Sequence, residues 1–592
     1  MKEFVKTVVA VICGLLIIQI LGFLLFFLMV GSAAISSGSR TVLPREGVLD
    51  INMADFTLAE QSQETTGAGF SPSGFSMVPT LGLWDVVQSL DKAAADPVVQ
   101  YVFLRPDMAS GGTATLEELR AALSRFRESG KPVIAYMENP GNASYYLASV
   151  ADKIYMTSYH GGNPQLVGIS GRMIFLKDLL DKVGVNYQLI RHGKYKSAGE
   201  MYIKNAPSDE NREQNQVMID GMWKALSGVM ASARGISGET FNALIDQLSL
   251  SFPEDFEKAG LVDGLLDREG LKEKLCTLSG VSKEEDIHLI SLSDYVDAKK
   301  APVPSKKPQV AIIFADGSIV DGDEYQEIAA DRFVREIEKV RKEASVKSVV
   351  LRVNSPGGSV IASEKIRTAL SLLMAEKPLV ASYGNYAASG GYWISNGCQK
   401  IYSDATTLTG SIGVFSLIPE FSKVTGKVGV NVVTVNSNKH SDMFSLVRPF
   451  DQEEKDNMQR YVEDVYTNFV GLVAEGRGME VEQVDAIAQG RVWVGSDALS
   501  LGLVDEIGTL WDAVAYAASL SGLISEDDYA VSSYPAPLTV FEQIMQSFGQ
   551  GDKEPKILSG TPFEGIGKSL MQLQGNQPSQ VYAQLPYSLE IR

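Results

Sequence analysis

"VFLRPDMASGGTATLEELRAAL" (residues 102–123) and "VVLRVNSPGGSVIASEKIRTAL" (residues 349–370) are one passage written twice. Leu104 and Leu351 stand 247 positions apart, and so do Lys153 and Lys400, in "DKIYM" and "QKIYS". "GKPVIAY" and "EKPLVAS" keep the same order, and "AGLVDGLLD" (259–267) returns as "LGLVDEIGT" (501–509). Matches that hold their order along both halves mark an internal duplication, which has to be recognised before any domain is drawn. Each copy reads as α/β; in the second, apolar β-branched runs at 310–314, 348–353 and 379–382 read as strands buried on both faces. Helical patterns lie between them. Ile366, Leu370 and Leu373 share one side of 364–373, while Tyr461, Val465, Phe469 and Val473 recur every four residues. Alternating strands and helices predict α/β units around a mostly parallel sheet.

A chain of 592 residues is too long for one core. "APVPSKK" (301–307) is a Pro/Lys-rich joint. The expected division is an anchor at 1–31, an N-terminal half at 46–300, a C-terminal half at 308–530 and a tail at 531–592. Residues 61–76 are polar and Gly/Ser-rich, as in a surface loop. In the tail, Leu538, Phe541, Ile544, Met545 and Phe548 form an amphipathic stripe. It suits packing on its own domain, or contact with a neighbouring subunit or a membrane surface.

Lys2 and Lys6 precede an apolar run, residues 7–30, without a charge. That run exceeds the roughly 20 residues a helix needs to cross a bilayer and the roughly 7–15 of a cleaved signal peptide. A small-residue stretch, "GSAAISSG", follows and leaves cleavage open. The lysines favour a cytoplasmic N-terminus, although Arg40 and Arg45 weaken the contrast. The expectation is a single-pass protein with its bulk outside the inner membrane. A net charge of −19 argues against a general nucleic-acid binder, which needs a basic face. Cys13, Cys276 and Cys398 make no disulfide framework, and no CxxC, H-E-x-x-H or EF-hand pattern occurs. No metal and no cofactor is expected.

Three stretches can carry chemistry. "LTGSIGV" (408–414) holds Ser411 in a Gly/Ser turn that is not the G-x-S-x-G elbow. "NSPGGS" (354–359) is either a tight strand-to-helix turn or a place where backbone N–H groups open toward an oxyanion. "AASGGYW" (387–393) can open a helix with Ser389 as its N-cap. The four histidines, His160, His192, His288 and His440, leave a Ser-His-Asp triad open by number. His192 and His440, however, occupy loosely equivalent polar places in the two halves. A lysine whose charge is disfavoured by burial is the other available base, and "RHGKYKSAGE" (191–200) offers Lys194 and Lys196.

The anchor, "YKSAGE", "VNSPGGSV", "AASGGYW", "TGSIGV" and "GRVWVGSDALSLGLVDEIG", in that order over nearly the whole chain, resemble the long, tandem form of the signal peptide peptidase A (protease IV) family. The resemblance implies two tandem Clp-protease/crotonase-like α/β domains, a serine endopeptidase with a Ser/Lys dyad, and a homotetramer. It implies Ser411 as nucleophile and Lys196 as general base and acid, with Lys194 outside the matched position. Gly357 and Gly358 match the turn that supplies an oxyanion-hole N–H, and the Ile412 N–H is a second donor by analogy with Clp proteases. The implied substrates are hydrophobic signal-peptide remnants, handled on the periplasmic side of the bacterial inner membrane. The sequence departs from the family's "SAVEPF" after the lysine, reading "SAGEMY". An acyl-CoA enzyme of the crotonase type, an inactive membrane-anchored scaffold and a Clp-like Ser-His-Asp protease are the alternatives.

The duplication adds a point of its own. "LVGISGRM" aligns with "LTGSIGVF", which puts Ile169 where Ser411 stands. "HGKYKSAG" aligns approximately with "SNKHSDMF", which puts Ser441 near the place of Lys196. Each half keeps one member of the pair, so one site per chain is expected, where an N-terminal half meets a C-terminal half.

Overall fold

The computed structural model describes Lys6 and residues 42–62, 69–71, 74–76, 78–300, 307–324, 327–536 and 581–584. The apolar run 7–30, the joint at 301–306 and the stripe from Leu538 to Phe548 lie outside these residues. Among the described residues no helix is long and apolar enough to cross a membrane.

The duplication is visible as two sheets with one strand order. In the first, Gly264–Leu266, Lys153–Thr157, Val133–Met137, Val99–Arg105, Gly47–Asn52 and Leu289–Ser291 lie side by side, all parallel. In the second, Glu506–Ile507, Ile401–Ser403, Leu379–Ala388, Val346–Ser355, Gln309–Asp316 and Ala530–Tyr534 follow in the same sense, again all parallel. Ala530–Tyr534 is thus the counterpart of Leu289–Ser291, and the boundary expected at 530/531 falls inside a strand of the repeat. An edge strand has one neighbour instead of two, so its sequence is less constrained and the kinship there is hard to read.

Both faces of the second sheet are covered, as its continuous apolar runs require. Ala311, Ile313 and Ala315 pack with Phe333, Ile337, Ile366, Leu370 and Leu373 of the helices Ala330–Lys342 and Val360–Met374. The alternate residues Val310, Ile312 and Phe314 pack with Leu510, Ala513, Val514 and Ala517 of the helix Leu510–Leu520. The expected loop at 61–76 contains a short antiparallel pair, Gly69–Ser71 with Gly74–Ser76.

A third sheet joins the halves. Asn186–His192 from the N-terminal half runs antiparallel to Val414–Glu420, in register from Val414 opposite His192 to Glu420 opposite Asn186. Buried charge holds the same junction. The Arg352 guanidinium, 1% exposed, bonds Glu60 at 2.8 Å and Glu118 at 2.7 Å, both from the other half. Removing either partner of such a pair leaves an uncompensated buried charge, at a cost of about 3–5 kcal/mol. The halves are therefore held in one relative position.

Candidate active site

The crossing strand carries Lys196 to Ser411. After Asn186–His192 the chain turns at Gly193 (φ +100°), where a Cβ would lie 2.5 Å from the Gln489 carbonyl carbon. The Tyr195 N–H then donates to the Gln489 carbonyl at 2.9 Å. Gly490 (φ +79°) follows, and a Cβ there would lie 2.6 Å from Lys196 Cβ. The Gly490 N–H donates to the Ile412 carbonyl at 2.8 Å, and the Ser411 N–H donates to the Arg491 carbonyl at 2.7 Å. One turn, residues 489–491, thus holds the lysine segment on one side and the serine segment on the other.

Lys196 is fully buried, and its Nζ lies 2.9 Å from Ser411 Oγ, 3.1 Å from the Ser411 carbonyl and 2.8 Å from Ser389 Oγ. All three partners are neutral oxygens. With no carboxylate to favour the ammonium form, burial pushes the Lys196 amine well below the usual lysine range. Ser411 sits at φ +49°, a region that non-glycine residues seldom occupy, which points to a backbone held by its surroundings. Gly410 and Gly413 beside it serve internal packing. A Cβ at Gly413 would lie 2.7 Å from Gly490 Cα, and one at Gly410 would lie 3.0 Å from Trp493 Cδ1.

Ser389 corrects an expectation. It precedes the short helix Gly390–Ser395, but at φ 56° and ψ −111° it makes no cap hydrogen bond. Its Oγ accepts from Lys196 Nζ instead. The motif AASGG carries the cap signal, and nothing local in it shows that the side chain turns away from the helix. Losing this bond costs about 1–2 kcal/mol. We expect Ser389→Ala to lower kcat/KM by about 5–30-fold, measured on a fluorogenic peptide with the helical content unchanged.

The glycine turn lies at the same junction. Gly357 has φ +97°, and its N–H donates to Ser355 Oγ at 3.2 Å, so its own N–H is engaged within the turn. Gly358 allows Ile319 to approach, since a Cβ would lie 1.9 Å from the Ile319 carbonyl oxygen. A Cβ on Gly390 would lie 3.0 Å from the Gly358 nitrogen. The Gly358 and Gly390 backbones therefore converge, and Gly390 is a residue that motif reading passed over as the start of a helix. The Ile412 side chain is buried in the core of the C-terminal half.

Other expected residues lie elsewhere. Lys194 is exposed, with its Nζ 5.0 Å from the centre of the Tyr195 ring. His192 stacks on Tyr466, His160 bonds Glu254, His440 faces Glu453 and Glu454, and His288 is exposed. His440, Asp451 and Glu454 come within metal-ligating reach of one another, but Glu454 already accepts from Arg448 at 2.8 Å and closes the capping box of the helix Gln452–Arg477. Ile169 is half-buried, and Ser441 is exposed.

A duplicated parallel-sheet fold that closes a buried lysine amine onto a serine hydroxyl has the parts of a serine hydrolase. The chain belongs to Peptidase family S49, whose family model matches residues 125–282 and 371–523, one match in each half. It is 35% identical to Protease 4 of Haemophilus influenzae, over 84% of this chain and 83% of that one. It is 34% identical to Protease 4 of Salmonella typhi, over 89% and 86%. To the chloroplastic serine protease SPPA of Arabidopsis thaliana it is 30% identical, over 79% and 70%. The chain is a serine-type peptidase.

Proposed function

We propose that Ser411 is the nucleophile and Lys196 the general base and acid. The observation that carries this is the 2.9 Å contact between Lys196 Nζ and Ser411 Oγ in a fully buried setting. Neutral Lys196 takes the hydroxyl proton as Ser411 Oγ attacks a peptide carbonyl, and then gives it to the leaving amine. Water repeats the cycle on the acyl-enzyme. Backbone N–H groups hold the tetrahedral oxyanion. Gly358 is the first donor, with Gly390 beside it and Ile412 as the remaining expectation. A serine-directed probe such as a fluorophosphonate tests the assignment. Labelling at Ser411 supports it, and labelling at another serine with Ser411 untouched overturns it.

The proposed substrates are apolar remnants of signal peptides. A relative from Enterococcus faecium, 38% identical over 31% of this chain, is named "Putative signal peptide peptidase SppA", which supports this substrate class. The proposed setting is the bacterial inner membrane, with residues 1–31 as a single-pass anchor and the peptidase on the periplasmic side. The proposed units are Clp-like halves, the first at 46–300 with the lysine and the second from 308 through the strand Ala530–Tyr534 with the serine.

The duplication also supports assembly into a homotetramer. "KVGVN" occurs twice, at 182–186 and 427–431. The first copy leads into the strand Asn186–His192, paired with Val414–Glu420. The second leads into a segment outside any strand, with Val432, Val433 and Val435 exposed at 51%, 85% and 94%. Under the pairing of Ile169 with Ser411 the first-half counterpart of Val414–Glu420 is residues 172–178, likewise outside any strand, with 172–174 exposed. A second copy satisfies both: 431–435 of one chain adds to 172–176 of the next. This contact is head-to-tail, the type that makes a ring when its rotation closes. A monomeric mass in sedimentation velocity would remove it.

A further inference from the structure

Lys196 has to be aimed from a segment that is neither helix nor strand. Residues 193–199 lie between the strand Asn186–His192 and the short helix Glu200–Ile203. A lysine side chain is long and flexible, so where its amine rests depends on the backbone it hangs from. A misplacement of about 1 Å at a reacting group can cost about 100-fold in rate. Functional groups carried on loops therefore need support from outside the loop.

The two peptide groups that flank the Lys196 Cα are each bonded by a side chain from elsewhere in the fold. On the N-terminal side, Gln214 Nε2 donates to the Tyr195 carbonyl at 3.4 Å, while Gln214 Oε1 accepts the Val492 N–H at 2.8 Å. Its partners, a C=O and an N–H, fix which way this amide faces. Val492 lies opposite Gly410, in the strand pair that leads to Ser411. One carboxamide, 1% exposed, therefore joins the segment of the base to the segment of the nucleophile. On the C-terminal side, Arg191 Nη1 donates to the Lys196 carbonyl at 2.7 Å. Arg191 sits opposite Phe415 in the strand pair that crosses between the halves. Its Nη1 also lies 3.3 Å from Glu200, which is fully buried and accepts from the Ser208 N–H, Ser208 Oγ and Asn211 Nδ2 at 3.1, 2.8 and 3.1 Å. Against the cost of burial, these bonds hold the Glu200 carboxyl below the usual range, so it stays ionised beside Arg191. Ser208 caps the helix Asp209–Ala233, and Asn211 and Gln214 lie in its first turns. Both supports are referred to that one helix.

We propose that Gln214 and Arg191 are positioning residues of this peptidase: by pinning the peptide groups on either side of Lys196 they aim its amine at Ser411 Oγ, with Glu200 holding Arg191 in place. The proposal rests on the dyad assignment above. Neither side chain bonds the amine, whose partners are Ser389 and Ser411; both act through the backbone. The other charges here are paired, Lys204 with Glu200 at 3.3 Å and Arg491 with Glu213 at 3.2 Å. Burial is what lowers the Lys196 amine. The pH at which the rate rises therefore reports whether the amine is still held in its dry site. The glutamate of "YKSAGE" gains a role by the same argument.

Measuring kcat and KM for a fluorogenic peptide from neutral to alkaline pH, with the full-length protein, tests this. Gln214→Met and Arg191→Met are each expected to lower kcat by about 10–100-fold with KM little changed. Each is also expected to move the rising limb of the pH–rate profile to higher pH, because an amine that strays toward water regains its ordinary lysine character. Arg191→Lys keeps a donor and the charge, and is expected to restore most of the rate and to return the limb to its original position. Gln214→Asn, an amide too short to span both partners, serves where a methionine variant does not fold, with the limb expected to move the same way. A limb that stays in place while kcat falls shows a merely structural role and overturns the proposal. An unchanged kcat in the Gln214 and Arg191→Met variants overturns it too, as does an Arg191→Lys no better than Arg191→Met. The dyad assignment fails by a different result: a Lys196→Met enzyme that still hydrolyses the peptide removes it, whatever the Gln214 and Arg191 variants do.

Discussion

Ser411→Ala is expected to lower peptide hydrolysis by at least about 10⁴-fold, with the circular dichroism spectrum and the sedimentation coefficient unchanged. The size of the loss follows from the chemistry. Without the hydroxyl there is no acyl-enzyme: Ser389 Oγ bonds the same Lys196 Nζ, but its own proton is directed to the Gly413 carbonyl at 3.5 Å. The fold should tolerate the change because the Ser411 backbone is held by its own N–H bond to the Arg491 carbonyl at 2.7 Å, which alanine keeps. Activity within tenfold of wild type would move the nucleophile to another residue.

Lys196→Met is expected to abolish hydrolysis to a similar extent and, at the same time, to raise the melting temperature. The side chain lies in a fully buried site among neutral oxygens, and that burial depresses its pKa. The folded protein therefore holds fewer protons than the unfolded chain at any pH between the depressed value and the ordinary lysine value near 10.5. Across that window wild-type stability rises with pH, because unfolding takes up a proton. A methionine removes this penalty, a gain on the order of 1 kcal/mol, largest at the low-pH end of the window. The same depression fixes the direction of the wild-type rate profile: kcat/KM rises with pH as the amine loses its proton. An unchanged melting temperature together with a rate that falls over neutral pH would show that Lys196 is charged in the folded protein.

The architecture was legible because the duplication is written in doubly buried strands, where apolar type is constrained on both faces. Residues 349–352 and 102–105 still look alike for that reason. Lys196 and Ser411 were singled out by motif, and the structure brings them together across the halves. Three features were not legible. Ser389 reads as a helix cap because the φ of 56° that turns it toward Lys196 has no local signature. Gly413 reads as one more residue of a Gly/Ser turn, whereas the atom it accommodates is Gly490 Cα, known only once the two segments are in contact. "VYAQ" (581–584) has no period and no charge pattern. Its place antiparallel to Gly357–Ser359 depends on pairing with residues more than two hundred positions away, which no short-range rule reaches.

The strand that crosses between the halves has a consequence in time. Lys196 and Ser411 are 215 positions apart, and ribosomes add roughly 5–20 residues per second. The base is therefore made about 10–40 s before the nucleophile exists. Until Val414–Glu420 has emerged and Asn186–His192 has found its register on it, the amine has no hydroxyl to meet. A slip of one residue in that pairing would turn every side chain to the wrong face. A nascent chain therefore stays inert until both segments have been made and paired.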